Sequence, residues 1–171
     1  MTKPNFVTCD LLDAHPECQV CAPNMEGKRF FSYGGHSSFG GEVVTVKCFE
    51  DNSRVKELLA TNGKDENGNG KILVVDGGAS MRCALLGDMI AQSAVDNGWA
   101  GVIVYGCVRD VDDMGQMALG VQALGSIPRK SNRQGMGEVG VSLQFGSMTV
   151  NNGDFIYADN NGIIVSQKAL I

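Results

Sequence analysis

The 171-residue sequence predicts an α/β fold, with a central βαβ unit followed by a β-rich C-terminal half, and three patterns carry that expectation. KILVVD (residues 71–76) and GVIVYG (101–106) are short unbroken apolar runs, as in strands covered on both faces inside a parallel sheet. Between them Leu86, Ile90 and Ala94 recur at helical spacing with Ala91 and Val95 on the adjacent stripe, and Gly98 stands where a helix C-terminus favours a left-handed residue. Beyond Val111 the runs VGVSLQF, SMTV, DFIYAD and GIIVS alternate with NNGD and DNNG, the turn chemistry of antiparallel hairpins.

In chain order, TCDLL (8–12) reads as the start of a short helix with Thr8 as its N-cap. The following stretch to Gly35 is rich in Pro, Gly and Asn and reads as extended or looped chain. GEVVTVKCF (41–49) is dominated by β-branched and apolar residues and predicts a strand; residues 53–59, with Val55, Leu58 and Leu59 at helical spacing, predict a helix. NGKDENGNGK (62–71) is a surface loop by composition. The length predicts one domain over residues 1–171.

Composition excludes some functions. No apolar run approaches the ~20 residues that a membrane-spanning helix needs. Fourteen Lys and Arg against nineteen Asp and Glu give a net charge of -5, the wrong sign for direct nucleic-acid binding. Cys9, Cys18, Cys21, Cys48, Cys83 and Cys107, with no signal-peptide pattern ahead of them, predict a reduced, cytoplasmic protein. Cys18 and Cys21 form a CxxC, with His15 and His36 the only histidines; structural zinc usually takes two closely spaced pairs, so the two thiols read as unligated.

The chemistry is expected at the carboxyl edge of the parallel strands, where ligands of α/β folds bind. Two loops converge there, DGGASMRCALLGD (76–88) and GCVRDVDD (106–113). The backbone amides of Gly87, Asp88, Met89 and Ile90 should open the helix and offer a carboxylate or phosphate the positive end of its dipole. Arg109 can grip a carboxylate through two parallel hydrogen bonds, and Asp88 and Asp110 offer hard oxygens to Mg²⁺, which keeps most of its water shell. Neighbours on an extended chain point apart, so Asp110 can share a site with Arg109 only where the loop turns, and Gly106 makes such a turn plausible.

Each residue also has a plainer reading: Asp88 as a cap, Arg109 and Asp110 as a solvated ion pair, Gly77, Gly78 and Gly87 as turn residues. Asp112 and Asp113 read as the solvated start of the next helix. GGxS lacks the GxGxxG spacing of a dinucleotide site, His15 and His36 lack triad partners, and Cys83 and Cys107 read as packing because no histidine lies near them in sequence.

Taken together, SFGGEVVTVKCFEDN (38–52), LVVDGGASMRCALLGD (73–88), GWAGVIVYGCVRDVDD (98–113) and YADNNGIIVS (157–166) resemble the RraA-like family, which includes the regulator of ribonuclease E activity A and the class II 4-hydroxy-4-methyl-2-oxoglutarate (HMG) aldolases. The family's aldolase branch is marked by Asp, twenty residues, then Arg-Asp, a pattern met here by Asp88, Arg109 and Asp110. The resemblance implies an α/β/β sandwich like the swivelling phosphohistidine-type domain, a homotrimer, and a site that another subunit can complete. It implies that Asp110 holds Mg²⁺ or Mn²⁺ through water, that Arg109 and the segment Gly87, Asp88, Met89, Ile90 bind the pyruvoyl part of a small 2-oxo acid, and that Asp88 positions a catalytic water. The implied reaction is cleavage of HMG, or of 4-carboxy-4-hydroxy-2-oxoadipate (CHA), to pyruvate through a metal-stabilised enolate, with oxaloacetate decarboxylation as a side activity. The alternative is a non-catalytic inhibitor of ribonuclease E. Arg82 and the cluster Arg129, Lys130, Arg133 are candidates for a substrate's distal carboxylate, against the plainer reading of that cluster as a solvated loop. Residues 64–69 and 17–28 look longer than the common family pattern, and either could alter the site entrance.

Overall fold

In the computed structural model, residues 6–22 and 28–171 are described. The N-terminal helix α1 (Thr8–Ala14) is followed by two short strands, β1 (Gln19–Val20) and β2 (Phe31–Ser32), and the long strand β3 (Phe39–Lys47). Then come α2 (Ser53–Leu59), β4 (Ile72–Asp76), β5 (Ala84–Leu86), α3 (Asp88–Asp96), β6 (Gly101–Val108), α4 (Val111–Met114) and β7 (Gly120–Ser126). The C-terminal part holds β8 (Glu138–Val139), β9 (Leu143–Phe145), β10 (Met148–Val150), β11 (Phe155–Asp159) and β12 (Gly162–Ser166). Among the described residues no helix is long and apolar enough to cross a membrane.

One mixed sheet runs in the order β1-β12-β11-β3-β4-β6-β7-β2, with β3, β4, β6 and β7 mutually parallel and the outer pairs antiparallel. The alternation of the central strands explains why both faces are covered. Leu73, Val75, Val102 and Val104 turn to one side and pack with Val55, Leu59, Ile90, Ala91 and Ala94 from the helices. Ile72, Val74 and Ile103 turn to the other and pack with Leu143, Phe145, Met148 and Val150 of the β9–β10 hairpin and with Ile156 and Val165. Burial of these all-apolar strands on both faces, at about 25 cal/mol per Å² of apolar surface, is the main stabilising contribution.

The βαβ unit forms as expected: β4 and β6 are parallel, and Gly98, at φ +82°, donates its amide to Val95 O just past the end of α3. Two expectations need correction, and one strand lies where the sequence predicts none. Thr8 does not cap α1; it is the first helical residue, and its hydroxyl and amide both donate to Asp159. Leu86 is not on the helix; it ends β5, which continues the sheet beside the last residues of β6 where β4 has stopped. And GVQALGS, weak in β-branched residues, forms β7, held by its parallel ladder to β6 and by Gln122 Nε2 donating to Asp159 O.

Candidate active site

Because β5 lies against the end of β6, the start of α3 and the residues after β6 are brought together. Arg109 N donates to Leu86 O, which seats Arg109 and Asp110 beside Gly87 and Asp88. Asp88 N in turn donates to Asp110 Oδ2 at 3.2 Å. Gly87 precedes α3 with φ -134° and ψ -171°, ordinary extended backbone, so it is not glycine for the sake of a turn. The reason is steric: a Cβ there would sit 2.7 Å from Asp110 Oδ2 and 3.3 Å from both Cγ and Nε of Arg109.

The turn that lets neighbouring Arg109 and Asp110 face one place is made by Asp110 itself. Its φ of +55° and ψ of 43° are left-handed, a conformation that Asp tolerates better than most residues. Gly106, where the sequence allowed the turn, is instead buried within β6. Arg109 Nε lies 3.6 Å from Asp110 Oδ2 and Nη1 makes a long, 3.4 Å contact to Pro128 O, which leaves the rest of the guanidinium fork to solvent. Both side chains are about one-third exposed, at 39% and 34%.

The helix-start amides differ from expectation in detail. Asp88 N points to Asp110, and Met89 N to the carboxylate of Asp88, so two of the amides already face carboxylates. Met89 projects into solvent, and the Ile90 side chain is core, which restricts Ile90 to a backbone role. Asp112 and Asp113 occupy the first turn of α4, as anticipated.

Among the described residues no cluster of three or more His, Cys, Asp or Glu side chains could hold a metal ion. What remains is the partly exposed carboxylate of Asp110, held by the Asp88 amide, a hard oxygen donor that fits a hydrated Mg²⁺ or Mn²⁺ retaining most of its waters.

Several side chains take other duties. Arg82 is committed to Glu50, which also accepts from Ser80 Oγ; those two bonds are what hold the Glu50 carboxyl below the usual range. Arg133 Nε donates to Asn52 Oδ1. Cys48 and Cys21 are pushed up to about 12 and about 11, Cys48 by burial and then by Asp51, Asp76 and Cys83, Cys21 by burial alone. Cys83 and Cys107 are also raised, chiefly by burial, in keeping with packing thiols. Residues 64–69 lie at the opposite edge: they lead into the amino end of β4, where Lys64 meets Gly98 and Gly63 meets Trp99. Within one subunit they stand away from Arg109, because parallel strands put their amino and carboxyl ends on opposite edges. In residues 17–28, positions 23–27 lie outside the described residues, while Cys18 is half-buried and Cys21 buried against Gly146.

One contributor was not anticipated. After β7 the chain turns back across the carboxyl ends of the strands: Ile127 N donates to Val108 O, Arg129 O accepts from Ala84 N, and Asn132 exchanges backbone hydrogen bonds with Glu50 and Asn52. Sequence offered only a basic cluster after a proline, without a cue to where it would lie.

Comparison with known proteins bears on this geometry. Residues 8–165 match the family described as RraA-like, Aldolase/RraA. A protein of Acinetobacter baylyi, named "Putative 4-hydroxy-4-methyl-2-oxoglutarate aldolase", is 63% identical over 172 residues, covering 99% of this chain and 98% of its own. One of Pseudomonas aeruginosa (strain LESB58) with the same name is 56% identical over 167 residues, covering 97% of each. The crystal structure of an S-adenosylmethionine:2-dimethylmenaquinone methyltransferase from Geobacillus kaustophilus superposes with a TM-score of 0.89 at 43% identity, over 96% of this chain and 97% of that one. The RNA-processing inhibitor RraA from Thermus thermophilus gives 0.87 at 38%, over 96% and 94%. The mixed sheet with its few helices is the RraA fold, and the chain belongs to the RraA-like family.

Proposed function

We propose that this chain is a divalent-metal-dependent lyase that cleaves HMG, CHA or both to release pyruvate, with oxaloacetate decarboxylation as a side activity. The names of the relatives that resemble it over their whole length support the aldolase reading. They do not decide it alone, since relatives of this fold carry other names and a fold hosts many chemistries. The observation that carries it is the convergence of Asp88, Arg109 and Asp110 around a glycine whose missing side chain leaves room for them.

The open fork of Arg109 suits the carboxylate of a 2-oxo acid, gripped bidentately and turned toward Asp110. When bound beside Asp110, the cation supplies Lewis acidity at the 2-oxo group. Cleavage of the C3–C4 bond of HMG requires the C4 hydroxyl to lose a proton. Asp88, with one carboxylate oxygen on Met89 N, has the other for a water that accepts it. As the C4 oxygen becomes a carbonyl, the C4 fragment leaves as a second 2-oxo acid, which for HMG is also pyruvate; the electron pair of the broken bond passes to the C1–C3 pyruvoyl fragment, and Arg109 faces the negative charge that develops there. A proton then returns to C3 and completes pyruvate.

The test is pyruvate release from HMG and from oxaloacetate with Mg²⁺ or Mn²⁺, with EDTA, and in Arg109→Ala and Asp110→Ala. Activity lost in EDTA and in both variants is expected; metal-independent turnover, or full activity in Asp110→Ala, would overturn the reading. We further propose a cytoplasmic homotrimer. The groove between α3 and α4, lined by Met89, Gln92, Val95, Gln116 and Met117, supports a subunit contact next to Asp88. Likeness to the RNA-processing inhibitor supports a second reading, non-catalytic binding to ribonuclease E. Failure to co-purify with ribonuclease E at low salt would remove it.

A further inference from the structure

Four cations beside the site compete for the second carboxylate of a substrate, and the structure commits two of them elsewhere: Arg82 to Glu50 and Arg133 to Asn52. Arg129 is different. Its backbone is fixed to the sheet edge, because its carbonyl accepts from Ala84 N at 2.7 Å. The residue before it, Pro128, presents its carbonyl to Arg109 Nη1 at 3.4 Å. The Cα of Arg129 therefore stands one peptide unit from the Arg109 guanidinium. Its side chain is exposed, and no carboxylate among the described residues pairs with it, whereas Arg54, Arg82 and Arg109 each have an acidic neighbour. The thiol of Cys83, just before β5, is raised by burial and by Glu50 and pulled back down by Arg82 and Arg129, so the Arg129 charge is felt there.

We propose that Arg129 is a specificity-determining residue that receives the far carboxylate of a 2-oxo dicarboxylate whose 2-oxo-acid end lies on Arg109 and the start of α3. This rests on the reading of the site as one for 2-oxo acids. An exposed arginine one residue beyond the Pro128 carbonyl that meets Arg109 starts close enough for its long side chain to reach the far end of a diacid held at Arg109. Lys130, the next residue, bridges to Ala84 and leaves an extended strap on the other side, so it does not share this role.

Binding separates the proposal from turnover. With Mg²⁺ present, titration calorimetry compares pyruvate, which has one carboxylate, with 2-oxoglutarate, which has two and lacks the hydroxyl needed for cleavage. Wild type is expected to bind 2-oxoglutarate about tenfold or more tightly than pyruvate, the scale of one charge-assisted bidentate contact. Arg129→Gln removes that preference and leaves pyruvate binding within about twofold; Arg129→Lys keeps part of it, and Lys130→Gln keeps it whole. A wild type without the preference, an Arg129→Gln protein that retains it, or a Lys130→Gln protein that loses it equally would each overturn the proposal. Circular dichroism of the exposed-site variants confirms folding. Intact discrimination without HMG cleavage would sink the aldolase reading and leave this assignment standing; no binding of either acid would sink both.

Discussion

Gly87→Ala isolates the geometry of the site from the stability of the fold. The backbone there is extended and accepts any residue, so alanine adds no conformational strain. Replacing glycine by alanine should even stabilise by about 0.4–1 kcal/mol through the unfolded chain. Against this, the new methyl would lie 2.7 Å from Asp110 Oδ2 and 3.3 Å from Arg109 Cγ and Nε. Relief requires the carboxylate to retreat by about half an ångström or more, with the guanidinium following, at a packing cost of roughly 1–3 kcal/mol. The gain offsets only part of the cost, leaving a net loss of up to about 2.5 kcal/mol, and at about 2–4 °C per kcal/mol for a chain of this size Tm should fall by no more than about 10 °C. Activity should not be spared, because displacement of reacting groups by ~1 Å costs about 10²-fold. The expected result is a fall of about 10- to 100-fold in kcat/KM for pyruvate release at a temperature where the variant remains fully folded. Wild-type kcat/KM in Gly87→Ala would refute the steric argument, and so would an activity loss that merely tracks unfolding.

Asp110→Gly should remove metal-dependent pyruvate release while raising stability by up to about 1 kcal/mol in urea melts, because glycine relaxes the left-handed φ of +55°. At Asp159, burial would raise the carboxyl, but hydrogen bonds from the Thr8 hydroxyl and amide and from Asn161 outweigh it and hold it below the ordinary value. A carboxyl depressed in the folded state stabilises fully above its unfolded value of about 4 and loses that contribution as pH falls through its folded value. Urea unfolding should therefore find Thr8→Val less stable by about 1.5–3 kcal/mol at pH 7, with the gap to wild type closing as the pH falls below about 4. Iodoacetamide at pH 7.5 should label exposed Cys9 well before Cys21 and Cys48, without loss of pyruvate release; peptide mass spectrometry together with the activity assay checks this.

The parts of the fold that sequence reveals are those whose pattern is local. β4 and β6 are apolar runs with no competing period, α2 spans Ser53–Leu59 as its spacing implies, and the turn at Asn160 and Asn161 joins β11 to β12. β7 escapes because its stability is borrowed: Gly120 is there to admit the ring of Phe39, at 2.0 Å from where a Cβ would stand, and Gln122 reaches Asp159 across the sheet. At the site, Asp88, Arg109 and Asp110 can be picked out by chemistry and spacing, and their loops meet where parallel strands require. What sequence cannot supply is how Asp110 turns back on Arg109. The signal was present, since aspartate is among the residues that enter left-handed backbone readily, yet Gly106 drew the eye. The strap that brings Pro128 and Arg129 across the strand ends is made by backbone pairing between distant segments, and that leaves no mark on composition.

The clasp of Thr8 on Asp159 spans 151 residues. β12 lies between β1 and β11, and β11 in turn borders β3, so the first third of the chain completes its pairing only with residues 155–166. During synthesis, at about 5–20 residues per second, the outer edge of β3 and the apolar faces of α1 wait on the order of ten seconds for their partners. A ribosome-bound nascent chain would thus expose a bare strand edge through most of its translation, a window in which chaperone capture or strand exchange with a neighbouring nascent copy competes with correct closure.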